Sequence, residues 1–155
     1  FRDVLATAEA CLNLDCLYPW SWWVTPKIEP RRYDTRFFIA FTDAVHQGLH
    51  DSREAVNHKW VTPEDALSLA EQGQFPLAPP TWWTLKELSQ MQNIEAVRAA
   101  LPRRSKRAIQ PILAANTNGE WELKLPGHPE HPDPPIPDLP YAVRFEQGRW
   151  WANRT

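Results

Sequence analysis

The chain has 155 residues, of which 43% are hydrophobic and 23% are charged, and these are the size and composition of one globular domain. Its 17 basic and 19 acidic side chains give a formal net charge of −2. Nonspecific nucleic-acid binding and membrane-surface binding both depend on a large excess of positive charge, so we expect neither. Two cysteines cannot build a disulfide framework or supply the four ligands of a zinc site, which favours a reducing, intracellular and cytoplasmic location.

The first third of the chain predicts a helix followed by two strands. Apolar residues recur at helical spacing in the opening segment, at Phe1, Val4, Leu5, Ala8 and Leu12. No capping residue precedes this helix, so we expect the chain to be part of a longer protein. The aromatic run at residues 17–24 predicts a strand, and alternating polar and apolar side chains predict another at residues 31–42. Residues 37–41 are apolar on both faces, which predicts a central strand.

Three helices are predicted in the middle of the chain, after a strand at residues 54–61. Thr62 is suited to cap the first of them, since a proline and two carboxylates follow it, and Gly73 ends it. The second helix is predicted at residues 81–91. Asn93 is suited to cap the third, which is short.

The C-terminal third predicts two hairpins, one on each side of a proline-rich segment. Residues 109–125 contain strand patterns on both sides of Asn118 and Gly119, which together are the strongest short hairpin signal. Residues 126–140 contain seven prolines and predict an extended loop. Residues 141–151 predict the last hairpin.

Four segments of the chain form a recognisable pattern: residues 22–26 (WWVTP), 31–38 (RRYDTRFF), 60–67 (WVTPEDAL) and 77–81 (LAPPT). Together they resemble Nudix hydrolases, in the branch that includes the peroxisomal coenzyme A diphosphatase. The resemblance implies an α/β fold, the Nudix-type α/β/α sandwich with a mixed β-sheet, of which residues 1–102 form the C-terminal portion. Residues 103–155 then form a C-terminal extension with the hairpins and the proline-rich loop.

The Nudix box, the glutamate-rich motif that defines this family, does not occur in the chain. The one partial fit starts at Gly48 and Glu54, and it fails because Thr, Pro, Ala and Leu stand where the motif requires Arg and Glu. The resemblance implies Mg²⁺ or Mn²⁺ as the cofactor, with ligands outside this chain, and a small nucleotide-like molecule as the substrate. Part of a Nudix sheet would expose a strand edge, so we expect an N-terminal segment or a second copy in a homo-oligomer to complete it.

Arginines cluster in and beside the second predicted strand, at Arg31, Arg32 and Arg36. A guanidinium binds two phosphate oxygens at once, so we expect these residues to bind substrate, Arg32 and Arg36 above all. The alternative is a solvated strand face on which Asp34 pairs with one of the arginines.

Glu54 and two adjacent tryptophans complete the predicted site. Glu54 occupies a position from which several Nudix proteins send an additional carboxylate toward the metal, so the resemblance implies a catalytic role on the attacking water. The alternative is an ordinary loop glutamate. Trp22 and Trp23 must point to opposite faces of a strand, so one is expected to line the substrate pocket and stack on the base while the other packs in the core.

Two further groups have simple structural explanations. The proline-rich segment contains four residues of the types that bind zinc or manganese: His128, Glu130, His131 and Asp133. No helix or strand fixes their geometry, so we do not expect a metal site there. The basic run at residues 103–107 is either a phosphate contact or a solvated linker.

The resemblance implies a hydrolase, provided that a Nudix box precedes the chain. It would cleave the diphosphate bond of coenzyme A or of a nucleotide sugar by metal-assisted attack of water at phosphorus. The alternative is a catalytically inactive Nudix-like domain that serves as a binding or scaffold module.

Overall fold

The computed structural model describes residues 2–9, 11–42, 58–115, 118–147 and 149–153. Within them the chain forms helices α1 (Arg2–Thr7), α2 (Pro63–Glu71), α3 (Pro79–Leu88) and α4 (Ile94–Ala100). The strands are β1 (Leu17–Val24), β2 (Asp34–Ala40), β3 (Ala108–Ile109), β4 (Ile112–Ala115), β5 (Trp121–Lys124), β6 (Ala142–Glu146) and β7 (Arg149–Asn153).

The described strands form two sheets. The first is mixed and has the order β2-β1-β3, with β2 antiparallel and β3 parallel to β1. The second is an antiparallel meander of β4, β5, β6 and β7. This confirms the predicted α/β class with a mixed sheet. Among the described strands β2 pairs with β1 alone, so it lies at the edge of the described part of the sheet, and Phe38 on it is exposed. Its central position in the whole sheet remains a prediction.

Side-chain caps start two of the helices where the sequence predicts them. The Thr62 hydroxyl accepts a hydrogen bond from the Asp65 N–H at 3.1 Å, and the Asn93 side chain accepts one from the Ala96 N–H at 2.8 Å. These bonds satisfy backbone donors that have no partner within the first turn of a helix. The middle helix, α3, begins at Pro79, two residues before the predicted start, because proline already holds a helical φ in the first turn.

Two predicted strands differ from the structure. Residues 58–61 have no regular secondary structure, and the rest of the segment 54–61 lies outside the described residues. Ile109 was expected in the hairpin with β5, but it pairs with Trp23 of β1 as part of β3. The hairpin is therefore confirmed only for β4 and β5, because the apolar Ile109 side chain is buried in the core instead.

A tryptophan-rich core joins the two sheets and α3. Its buried members come from strands, from α3 and from the proline-rich segment: Trp23, Trp82, Trp83, Ile109, Leu125, Ile136 and Val143. The cluster therefore draws on both sides of the boundary after residue 102. That boundary remains a prediction.

The proline-rich segment is held in place by hydrogen bonds from Arg107 and His131. Arg107 donates to the carbonyl oxygens of Pro134 and Pro135 at 2.9 and 3.1 Å. His131 accepts the Asp133 N–H at Nδ1, so its Nε2 carries the proton and donates to the Gln110 carbonyl at 3.0 Å. The segment thus has a fixed structure without forming a helix or a strand.

None of the helices among the described residues combines the length and the apolar character that crossing a bilayer requires.

Candidate functional site

The pairing of β1 with β2 divides the predicted site residues between two faces of the sheet. Trp22 lies opposite Arg36, and Trp23 lies opposite Thr35. Since side chains of opposite residues in an antiparallel pair share a face and alternate along each strand, Trp22 and Arg36 lie on one face. Trp23 lies on the other, which packs against the core.

The first face carries three side chains that contact one another: Trp22, Asp34 and Arg36. The Trp22 indole N–H donates to Asp34 Oδ1 at 2.6 Å, and the Arg36 guanidinium lies 4.3 Å from the centre of the Trp22 ring. Arg36 is also 3.8 Å from Asp34, and both side chains are more than half exposed. This is the solvated strand face considered as the alternative, with the charge of Arg36 partly balanced by its neighbours.

On the second face, a cavity of about 490 Å³ lies between the end of β1, the β1–β2 loop, β2 and the start of α3. We call it the β1–α3 cleft. It includes Trp23 and Arg31 among the predicted site residues, together with residues that the sequence did not single out as site residues: Glu29, Tyr33, Thr35, Phe37, Pro79, Pro80, Thr81, Pro111 and Leu123.

Among the three predicted arginines, Arg31 is the one whose side chain is available to a ligand in the cleft. Its side chain is exposed, and it makes no hydrogen bond or ion pair within the part of the chain that the structure describes. Arg32 instead donates from Nε to the Thr25 carbonyl at 3.2 Å. Thr25 in turn accepts the Tyr33 N–H at 2.9 Å and donates its own N–H to the Tyr33 carbonyl at 3.0 Å, which closes the loop that carries both arginines.

The start of α3 forms another wall of the cleft. The residue that precedes the helix, Ala78, is extended and provides no side-chain cap. Pro79 and Pro80 have no N–H, so Thr81 supplies the first backbone donor of the helix. The positive end of the helix dipole therefore lies at the cleft wall, where it favours negative charge.

Trp23 forms a rigid apolar wall of the cleft. It is 3% exposed, and its indole N–H has no hydrogen-bond partner among the described residues. In contrast to Trp23, Tyr33 is 58% exposed and places its aromatic ring at the protein surface. In the sequence, this face of the sheet is indicated by Tyr33 and Thr35, which alternate with Arg32 and Asp34. The same pattern does not predict that the start of α3 borders the cleft.

The described residues do not assemble a metal site. No group of three or more His, Cys, Asp and Glu side chains comes close enough to hold one ion in the described ranges. Glu54, the predicted catalytic carboxylate, lies outside those ranges. The histidines of the proline-rich segment are used structurally: His131 as described above, and His128 through its Nδ1, which accepts the Glu130 N–H at 3.1 Å.

Comparison with known sequences decides the family. Residues 1–88 match the sequence model of the NUDT19 Nudix domain. The chain belongs to this Nudix family. The resemblance of the four sequence segments to Nudix hydrolases is thereby confirmed, and the matched range includes β1, β2, α2, α3 and most residues of the cleft.

Two curated proteins show how much of a Nudix protein the chain represents. It is 30% identical over 114 residues to the acyl-coenzyme A diphosphatase NUDT19 of Xenopus laevis, which covers 69% of this chain and 30% of that protein. It is 27% identical over 128 residues to the human protein of the same name, which covers 76% of this chain and 34% of that protein. The chain thus spans about a third of the length of these relatives. No solved structure gives a significant match.

Proposed function

We propose that a protein containing this chain hydrolyses the diphosphate bond of a coenzyme A-type nucleotide. The family assignment supports hydrolysis of a diphosphate, and the relatives named as acyl-coenzyme A diphosphatases support the substrate class. The observation that carries the proposal is the β1–α3 cleft, which combines aromatic walls with the guanidinium of Arg31, unpaired among the described residues. Those are the two surfaces that a nucleotide diphosphate requires.

Arg31 and the start of α3 bind the phosphates in this proposal. The planar guanidinium of Arg31 donates two parallel hydrogen bonds to oxygens of the diphosphate. The Thr81 N–H and the positive end of the helix dipole add a second, fixed source of positive potential. Because the Thr81 N–H is fixed by the helix, it needs little reorganisation when negative charge moves to the leaving phosphate.

The aromatic walls hold the remainder of the substrate. Trp23 is fixed in the core and borders the cleft, and Tyr33 offers an exposed ring to the same cleft. A base or an acyl chain packed between these rings and the prolines at the start of α3 loses contact with water. Trp22 and Arg36 remain predicted substrate contacts, although they contact each other on the opposite face of the sheet. Arg32 also remains one, although its Nε is already bonded to the carbonyl of Thr25, at the rim of the cleft.

Nudix hydrolases in general use divalent metals, and we propose Mg²⁺ or Mn²⁺ here. The described residues do not provide the several carboxylates that such an ion requires. We propose, as the resemblance implies, that its ligands come from a Nudix box outside this chain. When bound, the metal would activate water and neutralise phosphate charge. Glu54 is proposed to accept a proton from the attacking water.

The test is an assay of coenzyme A, an acyl-coenzyme A and ADP-ribose with the purified protein, with Mg²⁺, with Mn²⁺ and with a chelator. We expect metal-dependent release of the two halves of each substrate, each ending in one phosphate of the cleaved diphosphate, and these are separated by chromatography. Metal-independent release would contradict the proposed mechanism. Saturable coenzyme A binding without turnover under any of these conditions would instead establish the binding module considered as the alternative.

A further inference from the structure

A second cavity, of about 370 Å³, lies at the opposite end of α3 from the β1–α3 cleft. We call it the α3–α4 cavity. Residues 79–81 of α3 border the cleft, whereas Trp83, Glu87 and Met91 border this cavity. Its other walls come from α4, from the bulge of β1 at Trp20 and from the basic run at residues 103–107.

One wall is a fixed, internally neutralised charge pair. Arg104 donates from its two terminal nitrogens to the two carboxylate oxygens of Glu87, at 2.8 and 2.9 Å, and from Nε to the Trp20 carbonyl at 3.0 Å. The Trp20 indole N–H also donates to Glu87, at 3.1 Å, and the Arg104 guanidinium stacks 4.1 Å from the Trp20 ring. Since guanidinium has five N–H groups, two of them are not used by these bonds.

The other polar groups of the cavity are mainly hydrogen-bond donors. Arg103 is exposed and has no hydrogen bond or ion pair within the described ranges. The Ser105 hydroxyl oxygen accepts the Arg107 N–H at 3.1 Å, which leaves its own proton available. Ser21 Oγ and Trp83 Nε1 are buried without a partner among the described residues, and an indole N–H can only donate.

Few acceptors oppose these donors. Beside the neutralised Glu87, the acceptors among the carboxylate and amide side chains of the described lining are Asp138 and the amide oxygen of Gln90. The rest of the lining is mostly short and apolar, with three alanines of α4 and the side chains of Met91, Ile109 and Ile136. The described lining therefore combines several hydrogen-bond donors with a compact apolar wall.

We propose that the α3–α4 cavity binds a small oxyanion, a carboxylate or a phosphate monoester, joined to a compact apolar group. The oxyanion supplies the acceptors that the wall lacks, and charge-assisted bonds to Arg103 and Arg104 hold it. The apolar group packs against α4 and Ile109. This site is separate from the β1–α3 cleft and does not depend on the function proposed for the cleft.

The test is a titration of the ¹⁵N-labelled protein with phenyl phosphate, phenylacetate and inorganic phosphate, followed through the assigned indole N–H signals of Trp20 and Trp83. We expect saturable shifts of both signals with at least one of the two phenyl compounds. Whichever binds more tightly identifies the preferred oxyanion, and inorganic phosphate should bind more weakly because it lacks the apolar group. Equal binding of inorganic phosphate, or no saturable shift with any compound, would overturn the proposal.

The matched variants are Arg103→Ala and Lys106→Ala. Both remove one exposed positive charge from the same segment, but Lys106 does not line the cavity. Arg103→Ala should weaken binding about tenfold or more, the effect of one charge-assisted hydrogen bond, while Lys106→Ala should change it less than about twofold. Equal losses of affinity in both variants would show that the ligand is attracted by the positive charge of the segment alone, which would overturn the proposal of a defined site. Displacement of the phenyl compound by coenzyme A would place the site within the substrate cleft and would also overturn the proposal, whereas turnover plays no part in this experiment.

Discussion

Arg104 and Glu87 form a two-bond ion pair that joins the basic run to α3, with N–O distances of 2.8 and 2.9 Å. The two side chains are only 16% and 9% exposed. Trp20 completes the arrangement, because it donates to Glu87 and accepts from Arg104. The pair therefore ties β1, α3 and the segment before β3 to one another from within.

Replacing Arg104 by Ala should lower the free energy of unfolding by about 3–5 kcal/mol, because it leaves the carboxylate of Glu87 buried without its counter-charge. Urea denaturation followed by far-UV circular dichroism measures the change. The neighbouring Arg103→Ala is the control and should stay within about 0.5 kcal/mol of the wild type, since its side chain is exposed and unpaired within the described ranges. Similar losses of unfolding free energy in Arg104→Ala and Arg103→Ala would show that breaking the ion pair contributes little to the loss.

Gly127→Ala should destabilise the protein more than Gly73→Ala. Both glycines have positive φ, +101° and +72°, so each substitution strains the backbone, by about 1–3 kcal/mol. At Gly127 the new Cβ would also lie 2.9 Å from the backbone of Pro135, whereas nothing lies within 4 Å at Gly73. Overpacking should add about 1–3 kcal/mol at Gly127. Thermal unfolding of both variants compares them, and equal melting temperatures would contradict the packing of the proline-rich segment.

Glu130 should make stability depend on pH in the acid range. A hydrogen bond from the Lys124 ammonium, 2.8 Å away, and the charge of Lys124 hold the pKa of the Glu130 carboxyl below its ordinary value of 4.5. A lowered carboxyl pKa stabilises the folded state fully above the ordinary value, and this stabilisation is lost as the pH falls through the lowered pKa.

Glu130→Gln tests this dependence, because it removes the titrating group and leaves the buried Lys124 without its counter-charge. The wild type should be more stable than the variant at pH 7, and the difference in urea midpoint should narrow as the pH falls below about 4.5. Glu146→Gln is the control, because Glu146 also forms an ion pair, with Arg144, but lies outside the proline-rich segment. A difference in urea midpoint between wild type and Glu130→Gln that stays constant from pH 7 to pH 3 would contradict the lowered pKa of Glu130.

Arg31→Ala should weaken coenzyme A binding by about 10- to 100-fold if Arg31 makes a charge-assisted bond to the diphosphate. Arg36→Ala is the matched variant, since it removes the same charge from the other face of β2, where Arg36 stacks on Trp22. Isothermal titration calorimetry compares the two. A larger loss of coenzyme A affinity in Arg36→Ala than in Arg31→Ala would indicate that the substrate binds on the Trp22 face of the sheet. It would contradict the assignment of the substrate to the β1–α3 cleft.

Local chemistry in the sequence determined much of the secondary structure. Thr62 and Asn93 cap helices where they were predicted, because a side-chain oxygen next to a free N–H acts within a few residues of its own position. The hairpin around Asn118 and Gly119 and the alternation along β2 are local in the same way. The family assignment also depended only on short segments, and it is confirmed.

Tertiary structure decided which of the predicted residues share a site. Three arginines within six positions look alike in the sequence, yet Arg31 borders the cleft, Arg32 binds the Thr25 carbonyl and Arg36 stacks on Trp22. The start of α3 reaches the same cleft from more than forty residues away in sequence. Strand pairing and helix packing bring such residues together through burial of the tryptophan core, and no local pattern encodes that long-range arrangement.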